Sequence, residues 1–583
     1  MSVSYRNQKP FCAGKFKTLL LVASVSMGIE YLMLLSDTII IGNIFGEEAI
    51  AASNLVTPLF SVAVFISTMI SIGTSMLYSY EMGRFEKDRA DCLFGQGILL
   101  AVISGIALFL LVFLGENAYF GFMNPSETVG AYAREYYRYY RFIILLYPLY
   151  ALLNDMVYSD GDELICNCSY VTQIGVNIPV SISLCKKIGV GGASLGTLIG
   201  TVLSLAILLL HFFRKQNSLK FVPCLCGKDI VKVMQHGILD SSIYLFWGIT
   251  MCAANRFILA RFGAYYLPVF SVIISVIELT VVFDGIGQAV TPLVSVYRGE
   301  KNTEGIRKVM HLAGRTAVME GVAVSLLLFF FGRYLAPIYG IADPRLQSLC
   351  ATAVRLACPF LVCTAALFLL TSHYLLMEKR LLALWITALK DCLLLAGLMV
   401  LGGTLFGLNG VWAGVGAAPL FAAGITVAFV TLRYGWKKFP LLLPEVECEI
   451  RDFDLILSEQ AILELRDEIE KILLERQINK KIISRIMLLT EELEMLVMSK
   501  NSGRKVAAEC TLIIGEDIQL IFRDNGVLFD ITDVDGKISS MRSYLVANMM
   551  GYQVRRKNHL VTTSYNRNAF HFEKGEIKSC QDY

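Results

Sequence analysis

Charged side chains are scarce in this chain. Asp, Glu, Lys and Arg make up 17% of its 583 residues, whereas 55% of the residues are hydrophobic. A soluble protein of this length would divide into several domains with a much more charged surface, so a soluble class is excluded. An excess of one charge is also absent, because the formal net charge is +3. The charge balance therefore gives no indication of a nucleic-acid partner.

Cysteine pairs with the spacing of a metal site are lacking as well. The chain has 15 cysteines. The pairs 166/168 and 224/226 have one intervening residue, whereas structural zinc sites have roughly two to four. Others, such as Cys92 and Cys252, lie in apolar stretches, where cysteine behaves as a small apolar residue. We therefore expect neither disulfides nor a bound metal.

Long apolar stretches are what the chain does have, and each is about long enough to cross a hydrocarbon core of about 30 Å as a helix. The twelve stretches lie near residues 18–42, 50–78, 92–114, 134–158, 165–185, 190–213, 231–260, 265–296, 307–331, 347–376, 381–403 and 408–433. The fold class predicted from them is an all-α polytopic membrane protein with 12 transmembrane helices.

The two halves of this region resemble each other. The order IFG (44–46), apolar span, EMGR (81–84) returns as RFG (261–263), apolar span, YRGE (297–300). Tandem repeats of a six-span unit are typical of transporters, because related halves can rock about a central site. We therefore predict two six-helix bundles, at 15–220 and 221–435, related by an axis roughly along the membrane normal.

Lys and Arg flank alternate connections between the stretches. They occur before the first span and again near 84–89, 214–228, 298–308, 379–380 and 433–438, whereas the connection 43–49 has none. The positive-inside rule places these basic connections in the cytoplasm. The expectation is a multi-pass protein of the cell membrane with both termini cytoplasmic.

Asp37 is the first candidate functional residue. A carboxyl group inside a lipid-spanning helix is costly unless it neutralises, pairs or faces water, which suits a group that binds and releases a proton or cation. The alternative is a helix-end Asp near the surface, since Gly42 follows closely. Glu30 lies two turns earlier on the same face and either extends a proton path or reaches toward the interface.

Short motifs in the first half resemble those of the multidrug and toxic compound extrusion (MATE) family of antiporters. They are SDTIIIG (36–42), AIAA (49–52), TPLF (57–60), IGT (72–74), GD (161–162) and GVGGA (189–193). In the second half GIGQAV (285–290) and GLNGVW (407–412) continue the resemblance. The resemblance covers roughly residues 15–435.

The resemblance implies site residues in the first half. The family has an ion-coupling carboxylate at the position of Asp37 and a polar cavity residue at that of Asn177. Many relatives carry a second Asp one turn further on, where this chain has Ser181. Asn154 and Asp155 on the fourth span are candidate partners, and Asp155 is a candidate replacement for the missing Asp.

In the second half, Glu278 and Asp284 on the eighth span are further candidates for the ion or substrate cavity. Lys390 and Asp391 are adjacent and point about 100° apart in an α-helix, so they need not pair with each other. The seventh span reads FWG at 246–248, where some branches of the family have an acidic residue. That difference argues against a cation site in this half.

After a linker at 436–446 the composition becomes that of a globular domain, residues 447–583. Helical periodicity occurs near 458–476 and 480–500, and alternation at 509–514 and 518–523 predicts strands. The stretches LLTEEL (488–493), RDNG (523–526) and FD (529–530) resemble the Bergerat-type (GHKL) ATP-binding fold in its anti-sigma-factor-kinase branch. The expected tail is thus a small cytoplasmic α/β domain.

In that fold, an Asp before a Gly binds adenine and a helix Glu activates water, which implies roles for Asp524, Gly526 and Glu492. The magnesium-binding Asn is Leu496 here, and the glycine-rich lid is replaced by ISSMRSYL at 538–545. Without an oxygen ligand and glycines, Mg²⁺ and phosphates lack their anchors. We expect a degenerate domain that does not hydrolyse ATP, with no cofactor.

The leading functional interpretation is a secondary antiporter, not an enzyme, that exports small organic, often cationic or amphipathic, compounds in exchange for H⁺ or Na⁺. The tail would be vestigial or would bind a cytoplasmic regulatory protein. Two alternatives remain open. One is a non-transporting membrane sensor that signals through the tail. The other is a lipid-linked sugar flippase, which would need more basic residues in its cavity than Arg138, Arg141, Arg256 and Lys390.

Overall fold

The computed structural model describes residues 11–83, 87–160, 162–214, 217–224, 226–443, 448–501, 503–527, 529, 554–559 and 566–572. Asp530 and the segment 538–545, both singled out in the sequence, lie outside the described residues. The side chain of Glu30 is not described either.

Long helices follow the apolar stretches in the first half of the membrane region. They are α1 (Phe11–Phe45), α2 (Glu47–Gly83), α3 (Lys87–Met123), α4 (Glu127–Ser159), α5 (Glu163–Ile188) and α6 (Gly191–Leu209).

The helices of the second half are more interrupted. They are α7 (Gly227–Arg261), α8 (Leu267–Glu278), α9 (Asp284–Gly299), α10 (Thr303–Phe331), α11 (Leu335–Ile338), α12 (Pro344–Ala357), α13 (Leu361–Leu376), α14 (Arg380–Ala388) and α15 (Leu394–Tyr434).

Glycines of the repeated motifs end corresponding helices in the two halves. Gly46 follows α1 with a φ of 83°, and Gly263 follows α7 with a φ of 93°. This left-handed backbone is open to glycine at little cost and commonly terminates a helix. The second motif of the repeat behaves in the same way, because α2 ends at Gly83 and α9 ends at Gly299. The repeat in the sequence is therefore a repeat in local structure.

Two of the predicted spans contain breaks in the helix. The span predicted over 265–296 coincides with one candidate membrane span, Ala264–Arg298, although a 3₁₀ segment at Leu279–Phe283 separates α8 from α9 within it. Another was predicted over 347–376, but α12 and α13 meet at an angle of 51°. The apolar pattern runs through both breaks, so hydropathy cannot reveal them. Among the described residues, eight helices are long and apolar enough to cross a membrane, or nine if the bent pair is one span. Twelve crossings stay a prediction.

Small residues bring the two halves close together along α2 and α7. A Cβ atom on Gly73 would overlap the carbonyl oxygen of Val233, and one on Gly237 would overlap that of Met69. Glycine at such positions lets two helix backbones approach closely, which is the usual way that helices pack in membranes. The contact therefore depends on the absence of side chains at both positions.

The motif residue Asp162 organises the connection between α4 and α5. Its side chain accepts a hydrogen bond from the backbone N–H of Ile165 in the first turn of α5. It also pairs with Arg214 at 2.8 Å and with the buried ring of His211 at 2.9 Å. These contacts tie the end of α6 to the start of α5.

The tail is a two-layer α/β domain, and its predicted helices and strands are confirmed. The elements are β1 (Glu449–Ile456), α16 (Glu459–Glu475), α17 (Lys480–Lys500), β2 (Ala507–Ile514), β3 (Ile518–Asp524), β4 (Val554–His559) and β5 (Asn566–Phe572). The strands form an antiparallel sheet in the order β1-β2-β3-β5-β4. The Bergerat-type assignment stays a prediction.

The two faces of the tail sheet differ in polarity because side chains alternate along a strand. Ala508, Cys510 and Leu512 of β2 pack into the apolar core that the sheet shares with α16 and α17. Glu509 and Thr511 point to the opposite face and are buried as well. One face therefore holds the core, and the other buries polar and charged groups.

Two compact units are distinguished along the chain. One comprises the described parts of Met1–Ala23, Gln288–Arg315 and Leu441–Tyr583, so it joins the tail to the start of α1 and to the connection between α9 and α10. The other comprises Ser24–Gly287 and Thr316–Pro440. The predicted lobe boundaries near 220 and 435 stay predictions.

One disulfide corrects an expectation. Cys92 of α3 and Cys224, in the connection before α7, are joined, and their Cα atoms lie 5.5 Å apart. We expected no disulfide, because cysteines 132 positions apart in apolar or irregular sequence show no pairing pattern. Proximity in the fold brings them together.

Candidate functional site

Asp37 lies at a junction of helices in the first half. Its Oδ2 atom accepts a hydrogen bond from the hydroxyl of Thr197 on α6 at 2.6 Å. The hydroxyl of Tyr136 on α4 donates a longer one at 3.4 Å. A helix-end Asp at the surface would have water as its partner instead. The carboxyl group of Asp37 is thus held inside the protein by donors from two other helices.

A chain of hydrogen bonds extends from Asp37 to the fifth helix. The amide of Asn177 donates to the hydroxyl of Thr197 at 2.8 Å, and the hydroxyl of Ser181 donates to the amide oxygen of Asn177 at 3.0 Å. The structure therefore brings together Asp37 and Asn177, as the resemblance implied. Ser181, where many relatives carry an Asp, supports Asn177 and adds no charge.

One oxygen of Asp37 has no hydrogen-bond partner among the described residues. This atom, Oδ1, is buried. A buried carboxylate oxygen without a donor is costly, so it marks a place where a proton or a cation can bind. Fixed donors therefore hold one oxygen of Asp37 and not the other.

Aromatic rings lie beside this carboxyl group. Tyr136 and Tyr140 on α4 have ring centroids 5.1 Å apart, and Phe60 on α2 packs edge-on against Tyr140 at 5.5 Å. Tyr140 lies within electrostatic range of both Asp37 and Glu278. The faces of such rings attract organic cations. A carboxylate and several rings are therefore neighbours in the first half.

Glu278 and Asp284 flank the break between α8 and α9. Both side chains are half-buried, and Glu278 ends α8 where the 3₁₀ segment begins. Tyr31 on α1 donates a hydrogen bond to the carbonyl of Ser275, one turn before Glu278, at 2.9 Å. The helix that carries Asp37 thus also contacts the helix that carries Glu278.

Asn154 and Asp155 belong to a different cluster. The hydroxyl of Ser71 on α2 donates to Asp155 at 2.5 Å, and the amide of Asn154 donates to the hydroxyl of Tyr170 at 3.0 Å. Asp155 follows Tyr136 by 19 residues on α4, which is about 28 Å along a helix. The structure therefore does not bring Asp155 to Asp37.

Lys390 and Asp391 pair with each other, although adjacent positions of an ideal α-helix do not require it. The Nζ atom of Lys390 lies 2.5 Å from the Oδ1 atom of Asp391. The two residues lie in a π-helical turn, Leu389–Leu393, which is wider than an α-turn and rotates less per residue. The long lysine side chain then reaches its neighbour.

Three contributors to the site were missed in the sequence: Thr197, Tyr136 and Tyr140. Thr197 follows the GVGGA motif by four residues, and its hydroxyl also lies 3.2 Å from the carbonyl oxygen of Ala193, an alternative acceptor for its single hydrogen. A single hydroxyl in an apolar helix is common and gives no signal of its own. Its position after a motif of the family was the one available clue.

In the tail, Asp524 ends β3 and is 5% exposed. Its Oδ1 atom accepts hydrogen bonds from the backbone N–H of Gly526 at 2.9 Å and from the amide of Asn566 at 3.0 Å. Burial raises the pKa of this carboxyl group above its ordinary value. Leu496 is buried in the domain core.

Glu494 faces Asp524, whereas the role of Glu492 in activating water stays a prediction. Glu494 is 3% exposed, and both its oxygens lack a hydrogen-bond partner among the described residues. Glu492 is half-buried on another face of α17. Burial, with a further contribution from the charge of Asp524, raises the pKa of Glu494 to about 8. Two residues along a helix are about 200° apart, which explains the difference.

The cavity between Glu494 and Asp524 is small. Its volume is about 10 Å³, and Leu457, Val497 and Phe522 close it. That is about the room of one water molecule and far below that of an adenine ring. This enclosed cavity therefore does not fit a nucleotide. Among the described residues, a larger cleft of about 360 Å³ lies next to Gly526 and is lined by Arg504, Lys505 and Asn525.

Comparisons with known proteins cover the membrane region. The family model described as MatE matches residues 23–182 and 242–394. The chain is similar to the multidrug export protein MepA of Staphylococcus haemolyticus, with 20% identity over 378 residues, 64% of this chain and 82% of that protein. It is also similar to the probable multidrug resistance protein NorM of Thermotoga maritima, with 22% identity over 58% of this chain and 75% of that protein.

Solved structures share the fold. One is an inward-facing multidrug resistance MATE family transporter of the MOP superfamily, with a TM-score of 0.66 and 20% identity over 72% of this chain and 99% of that chain. Another is a MOP superfamily transporter from Pyrococcus furiosus, with a TM-score of 0.60 and 20% identity over 74% of this chain and 98% of that chain. Because the family model matches more than half of the chain, this protein belongs to the MATE family of multidrug efflux transporters.

Proposed function

We propose that the protein is a secondary antiporter of the cell membrane that exports small organic cations or amphipathic compounds in exchange for H⁺ or Na⁺. The observation that carries the proposal is Asp37, because one of its oxygens is fixed by Thr197 and Tyr136 while the other has no donor among the described residues. Such a group can bind an ion and release it again when the halves rearrange.

The surroundings of Asp37 support the substrate class. Tyr136, Tyr140 and Phe60 form an aromatic cluster beside the carboxylate. Aromatic faces and a carboxylate together attract an organic cation, and their flat surfaces tolerate different shapes. A proton or Na⁺ that binds to Asp37 would remove the charge that holds such a substrate. Exchange of one cation for another follows from this competition.

The proposal predicts that Asp37→Asn abolishes ion-coupled export. Asn keeps the shape of Asp37 but can neither bind a proton nor attract a cation. Purified protein in liposomes would be tested for movement of ethidium, an organic cation, against an imposed H⁺ or Na⁺ gradient. We expect wild-type protein to respond to one gradient and Asp37→Asn to neither.

Asp155→Asn is the matched comparison, because it removes another carboxyl group of the first half that belongs to a different cluster. We expect it to retain ion-dependent movement. Transport by Asp37→Asn at the wild-type rate, with unchanged dependence on the gradient, would contradict the proposal. If Asp155→Asn alone lost the coupling, Asp155 would be the coupling residue.

The flippase alternative is less well supported by the described residues. Lys390 is already paired with Asp391. Arg141 lies 5.0 Å from the ring centroid of Phe113, and Arg256 lies 5.6 Å from that of Phe122. A lipid pyrophosphate needs basic groups that converge on one cavity. The sensor alternative is decided by the ethidium experiment, since a sensor would not move the dye.

For the tail we propose a regulatory role without ATP hydrolysis, in the cytoplasm where both termini are expected to lie. Asp524 is engaged by Gly526 and Asn566, and its cavity has room for about one water molecule. Hydrolysis would require bound Mg²⁺ and fixed phosphates as well. Full-length protein should release no more phosphate from ATP than Glu492→Ala does. Magnesium-dependent release that disappears in this variant would contradict the proposal.

A further inference from the structure

One carboxylate of the tail contacts both halves of the transporter. The Oδ1 atom of Asp454 on β1 accepts a hydrogen bond from the backbone N–H of Phe11, in the first turn of α1, at 2.8 Å. Its Oδ2 atom lies 2.9 Å from the Nζ atom of Lys308, in the second turn of α10. Because α1 belongs to the first repeat and α10 to the second, Asp454 joins them directly.

A second carboxylate on the same strand strengthens this junction. Asp452 accepts a hydrogen bond from the amide of Asn302 at 2.9 Å and from the hydroxyl of Thr511 at 2.8 Å. It also lies 3.5 Å from the Nζ atom of Lys308. Asn302 in turn accepts from the backbone N–H of Gly305 in the first turn of α10. The start of α10 is therefore held at several points by β1.

A buried ion network continues across the polar face of the sheet. Glu300, between α9 and α10, binds both Arg523 of β3 and Arg567 of β5. Arg523 also pairs with Glu509 at 2.7 Å, and Glu509 accepts a hydrogen bond from Tyr297 of α9 at 2.8 Å. The side chains of Glu300, Arg523 and Glu509 are at most 3% exposed.

Such a network defines a particular docked position. Buried ion pairs add little net stability compared with apolar packing, but breaking one leaves a charge without compensation. The polar face of the tail therefore fits the connection between α9 and α10 and would be poorly compatible with an apolar partner. Tyr297 and Glu300 lie in YRGE (297–300), where the corresponding segment of the first half reads EMGR (81–84), so these docking residues distinguish the second half from the first.

We propose that the tail is a clamp that ties the first turn of α1 to the start of α10 through Asp454, Asp452 and the Glu300–Arg523 network. This inference rests on the proposed function, because a clamp restrains transport only if the two repeated halves move relative to each other. While docked, the tail opposes their separation at this end. Undocking releases the halves and lets them exchange conformations.

The clamp acts on the helix that carries the coupling carboxylate. Asp454 accepts an N–H at the N-terminus of α1, where a negative charge stabilises a helix. Asp37 lies on the same helix. The clamp proposal therefore implies that binding at Asp37 and docking of the tail influence each other reciprocally.

The test compares Asp454→Asn with wild-type protein in lipid nanodiscs and liposomes. Hydrogen–deuterium exchange would follow peptides that cover 11–17 and 302–309, and ethidium movement would follow transport. We expect exchange in both peptides to rise about fivefold, as for the loss of a helix cap. The initial transport rate should rise about fivefold as well, within the range of known couplings between sites.

Lys308→Gln provides a second way to break the junction, and Asp467→Asn is the matched control. Asp467 lies on α16, is exposed, and pairs with Arg466 on its own helix. We expect Lys308→Gln to behave as Asp454→Asn does and Asp467→Asn to behave as wild type. Increased exchange in both peptides without a change in transport would overturn the regulatory clamp, and unchanged exchange would overturn the docking itself.

Failure of the proposed function would be recognised separately. If wild-type protein moved no ethidium under either gradient, that function would fail. Hydrogen–deuterium exchange alone would then test the docking of the tail. Loss of protection in both peptides of Asp454→Asn would support the clamp, and loss in one peptide or in neither would contradict it.

Discussion

The proposed coupling role of Asp37 is supported by how its carboxyl group is held. Asp37 is fixed through Oδ2 by Thr197 and Tyr136, so its orientation is set before any ion arrives. Preorganised donors reduce the reorganisation needed when charge appears or disappears. Asn177 and Ser181 continue the chain of hydrogen bonds and hold Thr197 in place. The second acidic residue found in many relatives is therefore not needed for the geometry around Asp37.

At the residue scale, Glu494 predicts a pH dependence for the tail. Its pKa is about 8 in the folded protein because it is buried beside Asp524, whereas an unfolded Glu titrates near 4.3. Between these values the folded state keeps a proton that the unfolded state has lost. Stability therefore falls as the pH rises from about 4.5 to about 8 and changes little above that.

Glu494→Gln should remove most of this dependence, because a neutral amide replaces the group that ionises. The measurement is the urea concentration at which the tail of the full-length protein becomes sensitive to chymotrypsin, at pH 5.5 and pH 8.5. The control is Glu468→Gln on the exposed face of α16. An equal decrease of the midpoint in wild type and in Glu494→Gln would show that Glu494 is not responsible.

Some residues of the candidate sites could be identified from the sequence, and others could not. Asp37 could be predicted because a charge in an apolar span is rare and costly. Thr197 and Tyr136 could not be predicted. Hydroxyl groups are common in membrane helices, and these two residues lie 160 and 99 positions from Asp37 in the sequence. In the tail, a resemblance selected Glu492, but the helical phase that decides which Glu faces Asp524 required the structure.

At the scale of elements, the ends of helices were easier to predict than their interruptions. Gly46 and Gly263 mark the ends of α1 and α7 because glycine readily adopts a positive φ. The 3₁₀ segment at Leu279–Phe283 is apolar, so nothing in its composition distinguishes it from the α-helix on either side. The two carboxyl groups at its ends, Glu278 and Asp284, were visible, but the break between them was not.

Substitution of Arg523 tests how much the buried ion network contributes to the stability of the tail. Arg523→Ala should destabilise the tail by about 3–5 kcal/mol, because Glu509 would remain buried without its paired cation and Glu300 would keep only Arg567. Arg466→Ala removes an arginine that is one-third exposed and pairs with Asp467 at 3.2 Å and Glu491 at 3.1 Å. Its effect should stay below about 1 kcal/mol.

Both variants would be measured by urea-dependent sensitivity of the full-length protein to chymotrypsin, which does not cut at arginine. A similar small decrease of the midpoint in Arg523→Ala and Arg466→Ala would mean that solvent reaches the network and that its charges are not buried as described. A large decrease in Arg523→Ala alone is the expected result.

At the scale of the whole molecule, the repeat could be predicted but the contact between its copies could not. Repetition is visible in the order of motifs, whereas the approach of α2 to α7 depends on two glycines among the 46 of the chain. The sequence does not indicate which glycines face a neighbouring backbone. The structure identifies Gly73 and Gly237 as such positions, because the backbones of Val233 and Met69 lie opposite them in the other half.

Gly237→Ala therefore tests whether close approach of the halves is needed for transport. A Cβ atom at Gly237 would overlap the carbonyl oxygen of Met69, so α2 and α7 would have to move apart. Such overpacking typically costs about 1–3 kcal/mol. Gly175→Ala on α5 is the matched control, because a Cβ atom there meets nothing within 4 Å.

We expect Gly237→Ala to lower both the melting temperature and the initial rate of ethidium movement, since the conformation in which α2 and α7 are in contact becomes less populated. Gly175→Ala should leave the rate unchanged and should stabilise its helix slightly, as alanine favours helix over glycine. Equal transport rates in the two variants, with equal melting temperatures, would mean that the halves do not depend on this contact.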